Sequence, residues 1–511
     1  MPAGHRRGRV GRRGRRARTA AQAIGLTVAG ALVPGLGLVI GGRRKLGAAV
    51  LAVSAGLLAI GVYVGLAQRD SVIALALSPT GLLVTTAAVV VLGAAWIWIV
   101  VSSHKLLRPI SMSYTGRLTG ALVVGVLCFA IAVPTTVTAQ TVMAQRDLIG
   151  SVFKSQGSSR SATRPTVNAK DPWAHIPRLN ILLLGGDDGH GRTGTRTDTV
   201  MVASIDTRTG NTALISLSRN WMRMPFPASS PLHAKYPDGF WDPSLGNVEQ
   251  PQYYLDAMYD TIPKKYPGIL GQTDNEGADV VKLAASAALG LDIEYYMQVS
   301  LAGFQQIIDA LGGITVNINY RVPIGGEYGL GPGANKPKKP SGYLQPGPNQ
   351  KLNGHDALWF ARGRYGLSDP SRQERQRCTI HALVNSADPA TLVTKYQQIA
   401  AAGKEMLRTD IPQELLSALV QLGLKVKKAS VSNINLNPDK NFPSGKNPNY
   451  AGMREIIAKA LSPHPATPAP RKITTHKAKP ATTTPGTTPG TTPGTAQNLN
   501  DACAYHPTTG S

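Results

Sequence analysis

Residues Asn180–Thr199 read N-I-L-L-L-G-G-D-D-G-H-G-R-T-G-T-R-T-D-T. The apolar run Asn180–Leu184 is typical of a buried β-strand, and the glycines that follow it predict a loop. Carboxylates and guanidinium groups are crowded together in this loop, at Asp187, Asp188, Arg192, Arg196 and Asp198. A glycine- and aspartate-rich loop is often only a turn, so its interpretation as a ligand site depends on what the rest of the chain supplies.

Strand and helix patterns alternate downstream of this loop. Thr199–Asp206 and Thr212–Leu217 flank T-R-T-G, which predicts a hairpin with glycine at its turn. Helices are predicted at Ala278–Leu289, Leu301–Leu311 and Pro370–Ala387, and strands at Tyr295–Val299 and Ile314–Ile318. Several helices and mixed strands in one unit, residues 173–462, predict an α/β fold, namely a layered α-β-α domain with a mixed central sheet.

Apolar segments of membrane-spanning length precede this domain. Three of them are each close to the ~20 residues that cross a bilayer, at Leu46–Ala67, Leu82–Val101 and Leu118–Ala139. A fourth apolar stretch, Ala20–Gly42, is interrupted by Pro34 and several glycines. It is therefore either a re-entrant segment or a first span within a membrane region of residues 20–139.

The charge distribution indicates an orientation. The formal net charge is +25, and residues 1–19 hold eight arginines and no acidic residue. Such a segment is either a nucleic-acid-binding arm or a cytoplasmic anchor, since positive charge is retained inside. The apolar segments that follow favour the anchor, and Arg43–Lys45 and His104–Arg117 are then also cytoplasmic. We therefore expect a multi-pass cell-membrane protein with an extracytoplasmic domain and no nucleic-acid partner.

Polar segments flank the predicted domain. Residues 140–172 are predicted to be a spacer, and residues 463–511 a Thr/Pro-rich tail that ends in a cysteine-containing segment. Cys378 and Cys503 both lie in the exported part, where disulfides persist, and neither belongs to a C-x-x-C unit. We predict that they pair and thereby fasten the tail to the domain.

A second charged segment, Ala357–Cys378, is rich in arginine. Arg362 and Arg364 would share a face on a strand, and Arg372 and Gln376 would share a face on a helix. Any one of these arginines is compatible with a solvated basic surface. Their combined spacing beside tryptophan and phenylalanine favours an anion site, because a guanidinium group binds phosphate oxygens in a bidentate fork.

The glycine-rich loop fits this anion site as a partner. Its carboxylates, without Cys or His at ligand spacing, suit a hard cation such as Mg²⁺, which often bridges substrate phosphates. Asp187 and Asp198 are the candidate metal ligands, whereas Arg196 and Arg219 are candidates to face the phosphate. Together the metal and the arginines would neutralise a pyrophosphate.

Motifs of other enzyme classes are missing from the sequence. It contains no G-x-x-x-x-G-K-[ST] P-loop, no H-E-x-x-H zinc motif and no G-x-S-x-G nucleophile elbow. The histidines are scattered rather than set at ligand spacing. These observations disfavour a P-loop nucleotide enzyme, a zinc protease and an α/β-hydrolase.

Taken together, the motifs resemble the LytR-CpsA-Psr family. N-I-L-L-L-G-G-D-D, T-R-T-D-T, S-L-S-R-N, W-F-A-R-G-R-Y and S-R-Q-E-R-Q-R-C occur in the family's order over roughly Pro177–Pro389, and Val299–Val316 is similar to the intervening stretch. The C-terminal N-D-A-C-A-Y resembles a tail end of actinobacterial relatives, which supports the cysteine pairing. The resemblance implies a Mg²⁺-dependent phosphotransferase that attaches a glycopolymer from a polyprenyl-pyrophosphate carrier to peptidoglycan and releases polyprenyl phosphate.

The resemblance also implies roles for individual residues. It implies that Asp187 and Asp198 bind the metal, and that the pyrophosphate is contacted by Arg196, Arg219, Arg362, Arg364, Arg372 and Gln376. Two positions depart from the family's pattern. Asp188-Gly189 replaces a frequent Ser/Thr-Arg, so Asp187 and Asp188 compete for the metal role, and Asn220 replaces a frequent Asp that could take a proton.

A stripe of apolar residues is assigned differently by composition and by resemblance. Leu301, Phe304, Ile307, Ile308 and Leu311 form one face of a predicted helix. Such a stripe is ordinary core in most proteins, whereas the resemblance implies a groove for the prenyl chain.

Two alternative functions remain open from the sequence. A polyprenyl-pyrophosphate lipid pyrophosphatase would use the same site with water in place of the sugar hydroxyl. A non-enzymatic, nucleic-acid-binding regulator would use the N-terminal arginines. Arabinogalactan, teichoic-type and capsular polymers are all compatible with the motifs.

Overall fold

The computed structural model describes most of the chain in two units. The described residues are 17–110, 113–166, 168, 171–186, 197–246, 248–326, 339–386, 407–434, 436, 447–462 and 496–506. The first compact unit is Met1–Ile149 and the second is Gly150–Ser511.

The first unit is helical. Its helices are α1 (Ala20–Leu32), α2 (Leu36–Ile40), α3 (Arg44–Ala67), α4 (Arg69–Leu77), α5 (Pro79–Leu107) and α6 (Tyr114–Val152), the last of which runs past the unit boundary. Within the described residues, α3, α5 and α6 are the three helices long and apolar enough to cross a membrane, and each contains one of the predicted spans. The Ala20–Gly42 stretch is divided into two short helices at Pro34 and Gly35, where Gly35 has φ +102°. Neither helix has the ~20 residues of a full span.

Small residues pack α1 and α2 against α5. A Cβ added at Gly37 would lie 2.6 Å from the Cβ of Ser103, so the backbones approach too closely for a side chain there. Trp96 Nε1 donates a hydrogen bond to the carbonyl oxygen of Ala31 at 2.9 Å. The broken N-terminal stretch is therefore held against a span-length helix within this unit.

The second unit is built around a mixed sheet. Its strands are β1 (Arg178–Gly186), β2 (Thr197–Asp206), β3 (Thr212–Leu217), β4 (Tyr295–Ser300), β5 (Ile314–Ile318), β6 (Val322–Gly325), β7 (Pro340–Leu344), β8 (Gly347–Leu352), β9 (Leu407–Thr409), β10 (Val431–Ile434) and β11 (Ala496–Asn498). Seven of them form one sheet in the order β11-β10-β3-β2-β1-β4-β9, while β5 pairs with β8 and β6 with β7. Strand β1 is antiparallel to β2 and parallel to β4, which confirms the predicted mixed sheet.

Helices cover both faces of this sheet. They are α7 (Pro231–Lys235), α8 (Leu255–Lys265), α9 (Glu276–Leu289), α10 (Leu301–Leu311), α11 (Gly354–Arg362), α12 (Asp369–Ser386), α13 (Leu416–Lys428), α14 (Tyr450–Leu461) and α15 (Leu499–Ala502). On one face, Leu182 of β1 packs in a core with Val281 of α9. On the other face, Ile181 packs in a cluster with Leu422 of α13. The layered α-β-α architecture is therefore confirmed.

Alternation along β1 explains these two layers. Successive side chains of a strand point to opposite faces, so Ile181 and Leu182 enter different cores. The predicted hairpin and the predicted end of α9 are both observed, with Gly210 at φ +82° and Gly290 at φ +68°. Glycine adopts these conformations without steric cost.

The part of the predicted spacer that follows residue 149 is packed within the second unit. Phe153 lies, partly buried, against the cluster that contains Ile181. The main-chain N–H of Gln156 also donates to the carboxylate of Glu414 at 3.1 Å. This part of the predicted spacer thus differs from a free tether.

Buried carboxylates fix this segment further along. Ser161 Oγ donates to Asp279 at 3.0 Å and to Asp410 at 3.1 Å, and Thr163 Oγ1 donates to Asp279 at 2.8 Å. Both carboxylates are buried beside Lys282, whose Nζ lies 2.6 Å from Asp410 Oδ2. A buried charge needs pairing and hydrogen bonds, so the hydroxyl groups of this segment complete the core of the domain.

Candidate functional site

A cavity of about 290 Å³ lies between the sheet and helices α10, α11 and α12. This volume is at the lower end of the ~300–1,000 Å³ of ligand pockets. Most of its lining is apolar, and the long polar side chains that enter it are Arg362, Arg372 and Gln376. A cavity of this kind can hold a molecule that has an apolar chain and an anionic group.

Helix α10 supplies much of the apolar wall. It begins directly after β4 because the side-chain oxygen of Ser300 accepts a hydrogen bond from Gly303 N at 3.1 Å, which caps the helix. The cavity is lined by Leu301, Phe304, Ile307 and Ile308 of this helix. Leu311, the fifth residue of the predicted apolar face, is not among the lining residues.

Arg362 and Arg364 do not lie together on a strand, so that premise of the sequence analysis is wrong. The side chain of Asn353 accepts a hydrogen bond from Asp356 N at 2.8 Å and starts α11, of which Arg362 is the last residue. Arg362 lines the cavity, and its guanidinium carbon lies 5.9 Å from the ring centre of Trp359. Arg364 follows in the loop before α12, with a side chain that is 41% exposed.

Asp369, the first residue of α12, contacts two of the predicted site arginines. Its Oδ1 lies 2.8 Å from Arg372 Nη2 and 3.6 Å from Arg364 Nη2. Arg372 is 3% exposed and lines the cavity, so its guanidinium group is buried together with a counter-charge. Asp369 is not among the residues predicted from the sequence, although its three-residue spacing from Arg372 on a helix is a pairing signal.

Gln376 lies one turn after Arg372 and lines the same cavity, as their spacing on a helix predicts. Its Nε2 donates a hydrogen bond to Thr199 Oγ1 at 2.9 Å, which joins α12 to β2. Thr199 also lines the cavity, whereas the sequence predicted it only as a strand residue. No sequence signal separates its hydroxyl from that of any other strand threonine.

Two further arginines of α12 support the fold. Arg375 is buried and donates hydrogen bonds to the carbonyl oxygens of Phe360, at 2.7 Å, and Gly363, and to the Tyr320 hydroxyl at 2.8 Å. Burial lowers the pKa of Arg377 to about 10. Neither side chain is among those that line the cavity.

Arg219 lies in the turn after β3, half-buried. Its carbonyl oxygen accepts a hydrogen bond from Asp256 N at 3.1 Å, which ties the turn to the start of α8. Arg219 is not among the residues that line the cavity, so its contact with a phosphate stays a prediction. Asn220 follows it, and an amide at this position cannot act as a general base.

The glycine-rich loop of residues 187–196 lies outside the described residues. Predicted site groups that fall outside the description are Asp187, Asp188, Arg196 and the side chain of Asp198. The strands that flank the loop are described: Gly186 pairs with Thr197, and the adjacent Gly185 pairs with Thr199. Because Gly185 and Thr199 line the cavity, both ends of the loop meet beside it.

The pairing of β1 with β2 is relevant to the predicted metal site because both candidate ligands follow paired residues in the sequence. Within the described residues, no group of three or more His, Cys, Asp or Glu side chains is arranged to hold a metal ion. In the sequence, Asp187 follows Gly186 and Asp198 follows Thr197, two residues that are partners across β1 and β2. Two carboxylate-bearing positions next to one strand pair fit the oxygen-rich chemistry of a hard cation.

The predicted disulfide is present. Cys378 on α12 and Cys503 are bonded, with their Cα atoms 5.6 Å apart. The carbonyl oxygen of Cys503 also accepts a hydrogen bond from Asn317 Nδ2 at 2.9 Å. The described C-terminal segment is therefore fastened to the helix that carries Arg372 and Gln376.

Comparison with known proteins identifies relatives of this unit. A polyisoprenyl-teichoic acid–peptidoglycan teichoic acid transferase, TagU, of Oceanobacillus iheyensis is 29% identical over 245 residues, which are 47% of this chain and 62% of that protein. The cell wall biosynthesis protein LcpA of Corynebacterium glutamicum is 27% identical over 262 residues, covering 48% of this chain and 47% of that protein. The chain thus spans less than two thirds of the length of these relatives.

Solved structures and a family model give further matches. A LytR-Csp2A-Psr enzyme from Actinomyces oris aligns with a TM-score of 0.36 and 18% identity over 60% of this chain and 96% of that chain. The model of the LytR_cpsA_psr family matches residues 148–459. This match covers more than half of the sequence, and the chain therefore belongs to the LytR-CpsA-Psr family.

Proposed function

We propose that this protein is a membrane-anchored phosphotransferase that moves a glycopolymer from a polyprenyl-pyrophosphate carrier onto peptidoglycan. The observation that carries the proposal is the cavity, in which an apolar wall and the side chains of Arg362, Arg372 and Gln376 line one space. A prenyl chain needs apolar surface, and a pyrophosphate needs fixed cations and hydrogen-bond donors. The names of the relatives, which include a polyisoprenyl-linked teichoic acid transferase, support the same substrate class.

In the proposed reaction, a sugar hydroxyl of peptidoglycan attacks the phosphorus that is bonded to the glycan. The bond between this phosphorus and the bridging oxygen breaks, and polyprenyl phosphate leaves with the electron pair. Arg362 and Arg372 stabilise the negative charge on the phosphate oxygens, and Gln376, held by Thr199, donates to one of them. Asp369 keeps Arg372 in place through the 2.8 Å contact. Asn220 cannot accept the proton of the hydroxyl, so this proton passes to solvent or to the departing polyprenyl phosphate.

We further propose Mg²⁺ as the cofactor, with Asp187 or Asp188 and Asp198 as its ligands. When bound, Mg²⁺ would neutralise pyrophosphate oxygens. Chelation with EDTA is expected to stop transfer, and Mg²⁺ is expected to restore it. Full transfer after exhaustive chelation would contradict this part of the proposal.

The proposed location is the cell membrane, with several spans and the second unit outside. The apolar character of α3, α5 and α6 supports this arrangement, as do the arginines of residues 1–19 under the positive-inside rule. Protease added to intact cells from which the wall has been removed should digest the second unit. Its protection under these conditions would refute the orientation.

Transfer and hydrolysis are separated by one experiment. The full-length protein in detergent is incubated with a radiolabelled polyprenyl-pyrophosphate glycan, with and without a peptidoglycan acceptor. We expect label to become covalently attached to the acceptor, with release of polyprenyl phosphate that depends on the acceptor. Equal release with and without acceptor, and no labelled acceptor, would instead identify a lipid pyrophosphatase.

A further inference from the structure

The outward side of helix α11 carries two aromatic side chains that the proposed reaction does not use. His355 and Trp359 lie four residues apart, so they are neighbours on one helix face, and Arg362 lies one further turn along. Trp359 Nε1 donates a hydrogen bond to His355 Nε2 at 3.2 Å, and the two rings are 6.5 Å apart between centres. His355 Nδ1 lies 3.1 Å from Asp356 Oδ1.

These contacts fix the indole ring in one orientation. When Trp359 donates to Nε2 of His355, that nitrogen acts as acceptor, and Nδ1 carries the proton towards Asp356. The guanidinium carbon of Arg362 lies 5.9 Å from the centre of the indole ring. The ring is half-buried rather than part of the core, and the side chain of His355 is 56% exposed. A held, partly exposed aromatic ring bordered by hydrogen-bonding groups is suited to a ligand with an apolar face and a polar rim.

Arg362 connects this ring to the cavity. It lines the cavity, and its guanidinium carbon also lies over the ring of Trp359. If Arg362 contacts the pyrophosphate, the group bonded to that pyrophosphate on the side away from the prenyl chain is the next group along the donor. In a glycan-linked carrier, that group is the first sugar, and a pyranose ring has a C–H-lined apolar face and hydroxyl groups at its rim.

We infer that Trp359, bordered by His355 and Asp356, is the binding platform for the first sugar of the donor glycan. This inference rests on the proposed function, because it takes Arg362 as a pyrophosphate contact. The indole ring stacks on the apolar face of the sugar, while the imidazole and carboxylate groups accept or donate hydrogen bonds at its hydroxyls. The platform thereby makes the enzyme selective for carriers that already bear a glycan.

The test compares two ligands that differ only in the sugar. Binding of farnesyl pyrophosphate, and of farnesyl pyrophosphate that carries one N-acetylglucosamine, is measured by calorimetry on the full-length protein in detergent. Trp359→Ala is expected to weaken binding of the glycosylated ligand about tenfold and to change binding of the unglycosylated ligand less than twofold. Trp359→Phe, which keeps a ring, should stay within threefold of wild type for both ligands.

A matched control is available on β7. Tyr343 is also partly exposed and stacked by an arginine, with Arg321 at 4.4 Å, but it is not among the residues that line the cavity. Tyr343→Ala should leave both affinities unchanged. Equal weakening of both ligands by Trp359→Ala, or weakening of neither, would overturn the inference. Failure of the wild-type protein to bind unglycosylated farnesyl pyrophosphate would count against the proposed function instead.

Discussion

Filling the cavity should separate stability from activity. Ala361 lies on α11, lines the cavity and has a side chain small enough to leave space in front of it. The substitution Ala361→Phe places an apolar ring into that space. We expect the variant to be more stable than wild type and to lose transfer.

The expected stabilisation follows from the volume. At roughly 24 cal/mol per Å³ of cavity, a volume of about 290 Å³ corresponds to an upper limit of ~7 kcal/mol. A phenyl group that fills about a third of the space would raise the free energy of unfolding by ~2 kcal/mol. With an unfolding entropy of ~2.1 cal/mol/K per residue, a unit of roughly 300 residues would gain ~3 °C in Tm.

The expected loss of activity follows from the apolar surface that the prenyl chain can no longer bury. Excluding only four methylene groups costs ~3 kcal/mol at ~0.8 kcal/mol each, which corresponds to a roughly 200-fold increase in the KM for the lipid donor. Differential scanning fluorimetry and initial-rate transfer assays on the full-length protein measure the two effects.

Ala302 on α10 provides a position for a control variant. Ala302→Phe makes the same substitution at an exposed position of α10 that is not among the cavity's lining residues, and it should change neither KM nor transfer rate. A higher Tm for Ala361→Phe together with a wild-type KM would refute the assignment of the cavity to the prenyl chain. If overpacking lowers Tm, the smaller Ala361→Leu provides the same comparison.

Three further predictions concern the arginines, the disulfide and pH. If Arg364 contacts the pyrophosphate, as the family's motif implies, Arg364→Ala should abolish transfer. Its Tm should be unchanged because the side chain is 41% exposed, and normal transfer by this variant would contradict the role of Arg364. Arg375→Ala should instead cost ~3 kcal/mol or more in thermal unfolding, because buried carbonyl oxygens lose their donor. Replacing both Cys378 and Cys503 by serine should lower the free energy of unfolding by at most ~5 kcal/mol, which is the loop entropy for a separation of 125 residues. The measurement is thermal unfolding, and a Tm within about 1 °C of wild type would show that the bond adds no stability. Burial raises the pKa of Glu294 from 4.5 to about 7, so ionisation is more costly in the folded state, and stability should fall as the pH rises from 4.5 to 7. Glu294→Gln should flatten this decline in Tm. A pH profile of Tm identical to that of the wild type would refute the assignment.

Local sequence signals were sufficient where an element is fixed by its own residues. The hairpin turn at Gly210 and the end of α9 at Gly290 both need left-handed backbone, and glycine marks such positions in a sequence. Arg372 and Gln376 were predicted to share a helix face, because helical periodicity alone determines this relation.

Prediction failed where one local signal competed with another or where distant segments decide. The two-residue spacing of Arg362 and Arg364 would place them on one face of a strand. Asn353, nine residues before Arg362, instead caps a helix that continues to Arg362. Arg375 has the same residue type and motif as the site arginines, yet its guanidinium group binds main-chain carbonyl oxygens and Tyr320. Only the tertiary fold distinguishes these roles, because the partners lie on other elements.

The packed segment before β1 has a consequence for where the soluble part of the protein can be cut. A fragment that begins at Trp173, the boundary suggested by composition, lacks the hydroxyl groups of Ser161 and Thr163 that hydrogen-bond to Asp279. That carboxylate is fully buried, and each lost partner of a buried charge costs on the order of 1–3 kcal/mol. A fragment that begins near Gly150 retains these partners and is expected to be soluble and monodisperse, whereas the shorter one is expected to aggregate on expression.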